Sequence, residues 1–245
     1  MPRFFVPSSG FDEDGSVRIL GDDAYHIARS LRMAVGDTLT VADMCGGEYL
    51  CRLVSVHDAE CRLEILKRQA GMSEPPFPIT LYMAYPKGDK LETVIQKAVE
   101  LGAAKIVPFF SSRCIKRPKA EGAEKLRERL NRIAKEAAKQ CGRTLLPTVG
   151  DPLSFCDMLT EAKRATLPLF CYEGEGTRSL KEILSRAPMP ESVAVIVGCE
   201  GGFSAEEAAA AEDAGLLPTG LGRRILRCET APAFVLSSIS YQFEL

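Results

Sequence analysis

The residues of this 245-residue chain best placed to build a binding site lie in two glycine-centred segments near its end. They are Ile196-Val197-Gly198-Cys199-Glu200-Gly201-Gly202-Phe203-Ser204 and Leu221-Gly222-Arg223-Arg224-Ile225-Leu226-Arg227-Cys228-Glu229-Thr230-Ala231. Glycine lets main chain approach a ligand closely, so two such turns would line a cleft with N–H and C=O groups. A cleft of that kind grips a flat heterocycle or a ribose without a charged anchor. Other chemistries lack their parts. There is no G-x-x-x-x-G-K-[ST] phosphate loop, no G-x-G-x-x-G after the first strand of the α/β region and no G-x-S-x-G elbow. Cys199 precedes a helix start, which favours a thiolate, but no partner base is evident beside it.

Each segment has the form strand, tight turn, helix start. Val193 to Val197 is a continuous apolar run, and Ser204 with Glu207 forms a capping box for the next helix. Leu221-Gly222 ends a second apolar stretch, Thr230 is placed to cap a final helix, and Pro232 is tolerated in its first turn. The two turns are expected to come from neighbouring strands. Ordinary strand-to-helix connections would show the same local features.

The preceding chain reads as two regions. Residues 1–72 are strand-rich, with β-type runs at Thr38 to Val41, Tyr49 to Val56 and Cys61 to Leu66, a Gly46-Gly47 turn and an aspartate-capped helix over Asp22 to Arg32. Ser73-Glu74-Pro75-Pro76-Phe77-Pro78 excludes regular structure and marks a boundary. Residues 73–245 then alternate. Strands are expected at Ile79 to Tyr85, Lys105 to Phe110 and Ala165 to Cys171, and helices at Asp89 to Leu101, Glu121 to Cys141, Ser154 to Lys163 and Ser179 to Ala187. That order predicts an α/β domain with a largely parallel sheet, unknotted by general rules.

Composition sets limits. At 46% hydrophobic the chain buries a sizeable core, and no apolar run reaches the roughly 18 residues that span a bilayer. Without a signal-peptide pattern, it reads as a cytoplasmic protein. Nine cysteines, odd in number and without a C-x-x-C pair, fit free thiols in a reducing compartment, and two histidines give a zinc site little support.

A net charge of −2 argues against a uniformly basic nucleic-acid binder, so local distribution decides. Arg113-Cys114-Ile115-Lys116-Arg117-Pro118-Lys119 is densely cationic, and Lys125, Arg129, Arg132, Lys139 and Arg143 form one stripe on the long helix. Leu126, Leu130, Ile133 and Ala137 form the adjacent apolar stripe. A phosphate-gripping edge and a merely solvated helix face both fit this pattern.

The paired glycine segments resemble the signature of the RsmE family of SPOUT-superfamily RNA methyltransferases, G-P-E-G-G-F-S followed by L-G-x-R-I-L-R-T-E-T-A. The resemblance runs through Pro2-Arg3-Phe4-Phe5-Val6, His26, Leu31-Arg32, Gly36-Asp37, Lys97 to Gly102, Ile106-Val107-Pro108, Arg113 and Ala137 to Arg143. Cys199 stands where the family has proline, and Cys228 where it has threonine. The resemblance implies a small PUA-like β-barrel over 1–72 that holds RNA. Over 73–245 it implies a SPOUT domain whose C-terminal segment is tucked through a loop as a trefoil knot, overriding the unknotted sheet.

It also implies S-adenosylmethionine as cofactor, held by Val197, Gly198, Glu200, Gly201, Gly202, Leu221, Gly222, Ile225, Leu226, Thr230 and Ala231. The implied reaction is methylation of uracil N3 in 16S rRNA of the small ribosomal subunit, by a homodimer. N3 carries a proton at neutral pH, which makes Arg227 and Glu229 candidates for stabilising negative charge on the base and for positioning or accepting a proton. A structural ion pair holding the knot is the alternative for each. Glu200 is better suited to tying its loop through backbone N–H groups. Arg3, Arg29, Arg32, Arg113, Lys116, Arg132, Lys139 and Arg143 are candidates for holding RNA, and salt bridging is the alternative for the first three. A SPOUT enzyme of other specificity, such as ribose 2'-O methylation of transfer RNA, and a non-catalytic RNA-binding assembly factor are the competing functions.

Overall fold

A computed structural model describes residues 1–71, 73–115 and 122–245 of the chain. Its contacts divide the chain into two units, Met1–Glu74 with Ala138–Leu146, and Pro75–Ala137 with Pro147–Leu245.

The first unit is a five-stranded sheet. Its strands are β1 (Arg3–Phe5), β2 (Ser16–Leu20), β3 (Thr38–Ala42), β4 (Gly47–Val56) and β5 (Glu60–Ala70), in the order β1-β3-β4-β5-β2. All pairings are antiparallel except β1 with β3. Gly46 supplies a positive φ of 95° before β4, as the expected turn requires. Alternation on β2, β4 and β5 turns Val17, Ile19, Cys51, Leu53, Cys61 and Leu63 inward, where they pack with Phe4, Leu39 and Val41. The helix expected over Asp22 to Arg32 is shorter and irregular. A short helix α1 (Gly21–Tyr25) continues as a π turn over His26–Ser30, and no side chain caps it. Asp23 instead accepts from Lys139 Nζ at 2.9 Å. Neither β1 nor β2 was expected. Both are short, and β2 turns Ser16, Arg18 and Leu20 away from the core.

The second unit is an α/β sheet. Its elements run β6 (Ile79–Ala84), α2 (Lys90–Glu100), β7 (Lys105–Phe110), α3 (Ala123–Cys141, whose residues from Ala138 onward count with the first unit), β8 (Thr148–Val149), β9 (Leu153–Ser154) and α4 (Phe155–Ala162). They continue with β10 (Leu167–Cys171), β11 (Arg178–Ser179), α5 (Leu180–Arg186), β12 (Val193–Val197), α6 (Ala205–Asp213), β13 (Leu217–Gly220) and α7 (Thr230–Phe243). The order is β11-β13-β10-β12-β6-β7-β8, with β9 also on β7, and every pairing is parallel. β6, β10 and β12 are nearly continuous runs of buried apolar residues, as strands covered on both faces must be. Gly102, at φ 94°, closes α2 as expected.

Two expectations about the signature segments need correction. Their strands β12 and β13 are not neighbours, because β10 lies between them. The final helix is not capped by Thr230: it begins there, Glu229 occupies the cap position, and no side-chain bond closes it. The amides of Thr230 and Ala231 bond the carbonyl of Arg227 instead, at 2.8 and 3.0 Å.

Candidate functional site

Ligand clefts in parallel sheets form beyond the carboxyl ends of the strands, and here those ends belong to β12, β10 and β13. Each is followed by a loop that lines one open cleft of about 530 Å³, within the range of small-molecule sites.

The first loop turns immediately after β12. The amide of Gly202 bonds the carbonyl of Cys199 at 2.9 Å, and Gly202 sits at φ 64°. A Cβ on Gly198 would lie 3.0 Å from Gly202 Cα and 3.2 Å from Phe203 Cε2, so glycine there lets the turn fold closely on itself. The expected capping box closes the loop: the Glu207 amide donates to Ser204 Oγ at 3.2 Å, and the Ser204 amide to Glu207 Oε2 at 3.0 Å. Phe203 anchors it below, with its ring 4.4 Å from that of Phe170.

The segment after β7 braces this loop. Arg113 donates to the carbonyl of Gly201 at 2.7 Å, and the Ser112 amide donates to Glu207 Oε1 at 2.6 Å. A Cβ on Gly201 would meet Arg113 Cβ at 3.0 Å, so that glycine makes room for the brace; Gly201 does not line the cleft. The Cys199 thiol is buried and its pKa is pushed up, first by the neighbouring Cys114 thiol and then by burial. That environment suits packing and opposes a nucleophilic role.

The second loop leaves β13 through Leu221 and Gly222, the latter at φ 110° with open space where a Cβ would be. Its side chains Arg223, Arg224, Ile225 and Arg227 are exposed, and among the described residues none of these arginines has an ion-pair partner. Glu229 behaves differently. Its Oε2 lies 3.3 Å from Lys90 Nζ and 3.3 Å from the Cys228 thiol. The same Lys90 ammonium lies 2.9 Å from Glu200 Oε1, and that carboxylate also accepts the Lys87 amide at 3.2 Å.

These contacts set the charges. Burial alone would raise Glu200, but Lys90 and the nearby backbone amides hold its carboxyl below the ordinary 4.5. Glu229 is held below 4.5 by its own backbone amide, against burial, with help from the Cys228 thiol and Lys90. Lys90 is raised, chiefly by its bond to Glu200, and burial pushes the Cys228 thiol up to about 12. Two ionised carboxylates therefore share one ammonium; Glu200 and Lys90 of this group line the cleft, and the Cys199 and Cys228 thiols are kept neutral.

Of the cofactor candidates, Val197, Gly198, Glu200, Gly202, Leu221, Gly222, Ile225, Leu226 and Ala231 line the cleft, and so does Arg227. Gly201, Glu229 and Thr230 lie outside the lining. Sequence reasoning missed Lys90, and it missed the third loop, whose Tyr172, Glu173 and Thr177 complete the wall after β10. The Gly174-Glu175-Gly176 turn beyond Cys171 was the available signal.

The RNA candidates divide sharply. Arg143 is 2% exposed, and its guanidinium lies 2.6 Å from Glu74. Lys139 pairs with Asp23 and lies over the Phe4 ring, 5.3 Å from its centroid. Arg3 pairs with Glu48 at 2.8 Å. Those three cations are internal ties of the first unit, because their carboxylate partners sit on the same small sheet or beside it. Arg29 is exposed but held by Asp58 at 2.6 Å. Arg32, at φ 51°, and Arg132 are exposed without an ion-pair partner among the described residues. Arg113 serves the first loop, and Lys116, like Arg117 and Lys119, lies outside the described residues.

With the geometry in place, comparison with known proteins assigns the family. A family model described as "RNA methyltransferase domain" matches residues 73–240, and one described as "RNA methyltransferase PUA domain" matches residues 19–66. The chain belongs to the RNA methyltransferase family. It is similar to the ribosomal RNA small subunit methyltransferase E of Bacillus subtilis, 34% identical over all of this chain and 98% of the relative. The Synechocystis protein of the same name is 32% identical over 94% of this chain and 75% of its own length. Among solved structures, a ribosomal RNA small subunit methyltransferase E from Neisseria gonorrhoeae bound to S-adenosyl methionine is 29% identical. It covers 98% of this chain and 97% of its own, with a TM-score of 0.83. In this RNA methyltransferase, the two signature loops form two walls of the cleft just described.

Proposed function

We propose that this chain transfers a methyl group from S-adenosylmethionine to N3 of a uracil in 16S rRNA of the small ribosomal subunit. The observation that carries the reading is the cleft walled by the two glycine loops, in a chain whose Neisseria relative is bound to that cofactor. The fit rests on the glycine loops: a Cβ on Gly198 would crowd Gly202 Cα at 3.0 Å, and Gly202, Leu221, Gly222 and Leu226 lie along the wall. No metal-binding cluster occurs among the described residues, and the reading calls for none. When bound, S-adenosylmethionine supplies a methyl group already activated on a sulfonium.

The work left to the protein is orientation, which contributes on the order of 7 to 11 kcal/mol in well-aligned reactions. N3 lies on the Watson-Crick edge, so the uracil must be unpaired or extruded to reach the cleft. N3 must also lose its proton. Arg227, exposed on the cleft and free of an ion-pair partner among the described residues, is placed to stabilise the resulting charge on the base. Glu229 is held ionised, and its role is to position the reacting group or to accept the N3 proton and pass it to solvent.

We assign residues 1–72 as a PUA-like RNA-holding domain and 73–245 as the SPOUT methyltransferase domain, with the C-terminal segment forming the trefoil knot. Arg32 and Arg132 are the cations assigned to phosphates. The active form is a homodimer built on α7, which buries Val235, Leu236 and Ile239 yet leaves Phe234 and Tyr241 exposed as a second apolar face. Its place of action is the cytoplasm, where its RNA substrate is. Nucleoside mass spectrometry of 16S rRNA from a strain lacking the gene tests the reading. Loss of 3-methyluridine, restored with the gene, is the expected result, and an unchanged nucleoside profile would overturn it.

A further inference from the structure

Glu200, which lines the cleft, and Glu229, which lies outside its lining, come from different loops and meet at one cation. Two carboxylates brought this close repel, and like charge pushes the pKa of one of them up. Lys90, the first residue of α2, removes that conflict. Its Nζ is 2.9 Å from Glu200 and 3.3 Å from Glu229, and it lines the cleft itself. The ammonium is partly sheltered, with 34% of the side chain exposed against 29% and 24% for the two glutamates. No other cation is paired with either carboxylate among the described residues.

We propose that Lys90 is a positioning residue that ties the two cofactor loops together through Glu200 and Glu229, and so sets the cleft in its binding shape. The proposal rests on the S-adenosylmethionine reading of the cleft. The tie has a titration signature because its groups are few. Facing the two carboxylates are Lys90, the Lys87 amide, and the Cys228 thiol, which burial keeps neutral up to about 12. Glu173, Arg223, Arg224 and Arg227 line the same cleft. On the rest of α2, Glu92 is engaged by Arg129. With Lys90 present, both carboxyls lie below 4.5 and stay ionised from pH 8 to 5.5. Without it, one carboxyl rises and begins to take up a proton at a higher pH than in the wild type, which relieves the repulsion.

The test is calorimetric titration of the full chain with S-adenosylmethionine at pH 8 and pH 5.5, for wild type, Lys90→Met, Lys90→Arg and Lys90→Met/Glu229→Gln. Lys90→Met should bind about fivefold more weakly than wild type at pH 8. Its deficit should shrink at pH 5.5. The cofactor's own ionisation cancels in that ratio. Lys90→Arg should hold a ratio near one at both pH values, and removing the second charge in Lys90→Met/Glu229→Gln should recover affinity at pH 8. A Lys90→Met deficit that is the same at both pH values, or a double variant no better than Lys90→Met, would overturn the tie while leaving the cofactor reading standing. Wild-type protein that does not bind S-adenosylmethionine would overturn both.

Discussion

Two groups of three basic residues, alike in sequence, have opposite fates. Arg3, Lys139 and Arg143 of the first unit are each closed onto a carboxylate, with 14%, 14% and 3% of their side chains exposed. Arg223, Arg224 and Arg227 of the second signature loop are all exposed and bear no ion pair among the described residues. A buried cation must be neutralised by its own fold or the protein would not tolerate it. An exposed cation at the mouth of a cleft has its charge left for a ligand. Charge density along a chain therefore locates cations, and only three-dimensional pairing separates those spent on stability from those available for binding.

The comparison can be broken most decisively at its extremes. Arg227→Ala should slow single-turnover methyl transfer by about a hundredfold or more, in line with loss of a charge-stabilising donor. RNA affinity, measured by filter binding, should stay within about threefold, a change of well under 1 kcal/mol. Near-normal turnover would return Arg227 to a structural role.

Arg143→Met should act on stability instead. It strands Glu74, whose carboxylate also receives the amides of Thr144 and Leu145 at 2.7 and 3.0 Å. Removing one partner of a buried pair costs about 3 kcal/mol or more, so chemical denaturation should show a marked loss. The pH dependence has a definite sign. Burial pushes Glu74 up, but Arg143 and those amides hold it below 4.5, so its stabilisation is full above 4.5 and fades as pH falls through the lower folded value. In Arg143→Met the folded carboxyl rises, and that acid-side loss should flatten. A variant with wild-type stability would show that the pair carries no weight.

Arg132→Ala and Lys139→Ala sharpen the contrast within one helix. If Arg132 grips a phosphate, its removal should flatten the log–log salt dependence of RNA binding by about 0.7 to 0.9. Lys139→Ala should leave that slope unchanged and lower stability, since it is bonded to Asp23. Equal slopes for Arg132→Ala and wild type would remove Arg132 from the interface.

The smallest effect expected is at Gly222. Alanine there meets no atom within 4 Å but must adopt φ 110°, so the cost is backbone strain of about 1 kcal/mol or more, read as weaker cofactor binding. Gly198→Ala would also collide with Gly202 Cα, and its loss should be the larger.

Local chemistry made much of this legible in advance. β7 and β12 lie where their apolar runs end, and the Ser204–Glu207 box forms as its spacing dictates. The glycine turns do wall a cleft, because their conformational demands are written in single residues. What was not legible depends on residues far apart in the chain. Placing β10 between β12 and β13 is a property of sheet order, to which no local pattern refers. The pairing of Arg143 with Glu74, and of Lys90 with Glu200 and Glu229, joins residues that only the fold brings together. Lys90 itself reads in sequence as one more charge at a helix start.

The central claim is that the cleft between the glycine loops holds S-adenosylmethionine for methylation of uracil N3. The direct measurement incubates the purified chain with small ribosomal subunits lacking the mark and a methyl-labelled cofactor under single-turnover conditions, then identifies the labelled nucleoside. The account predicts 3-methyluridine, formed by the wild type and lost in Arg227→Ala. Label recovered in a ribose-methylated nucleoside, or in none, would contradict it.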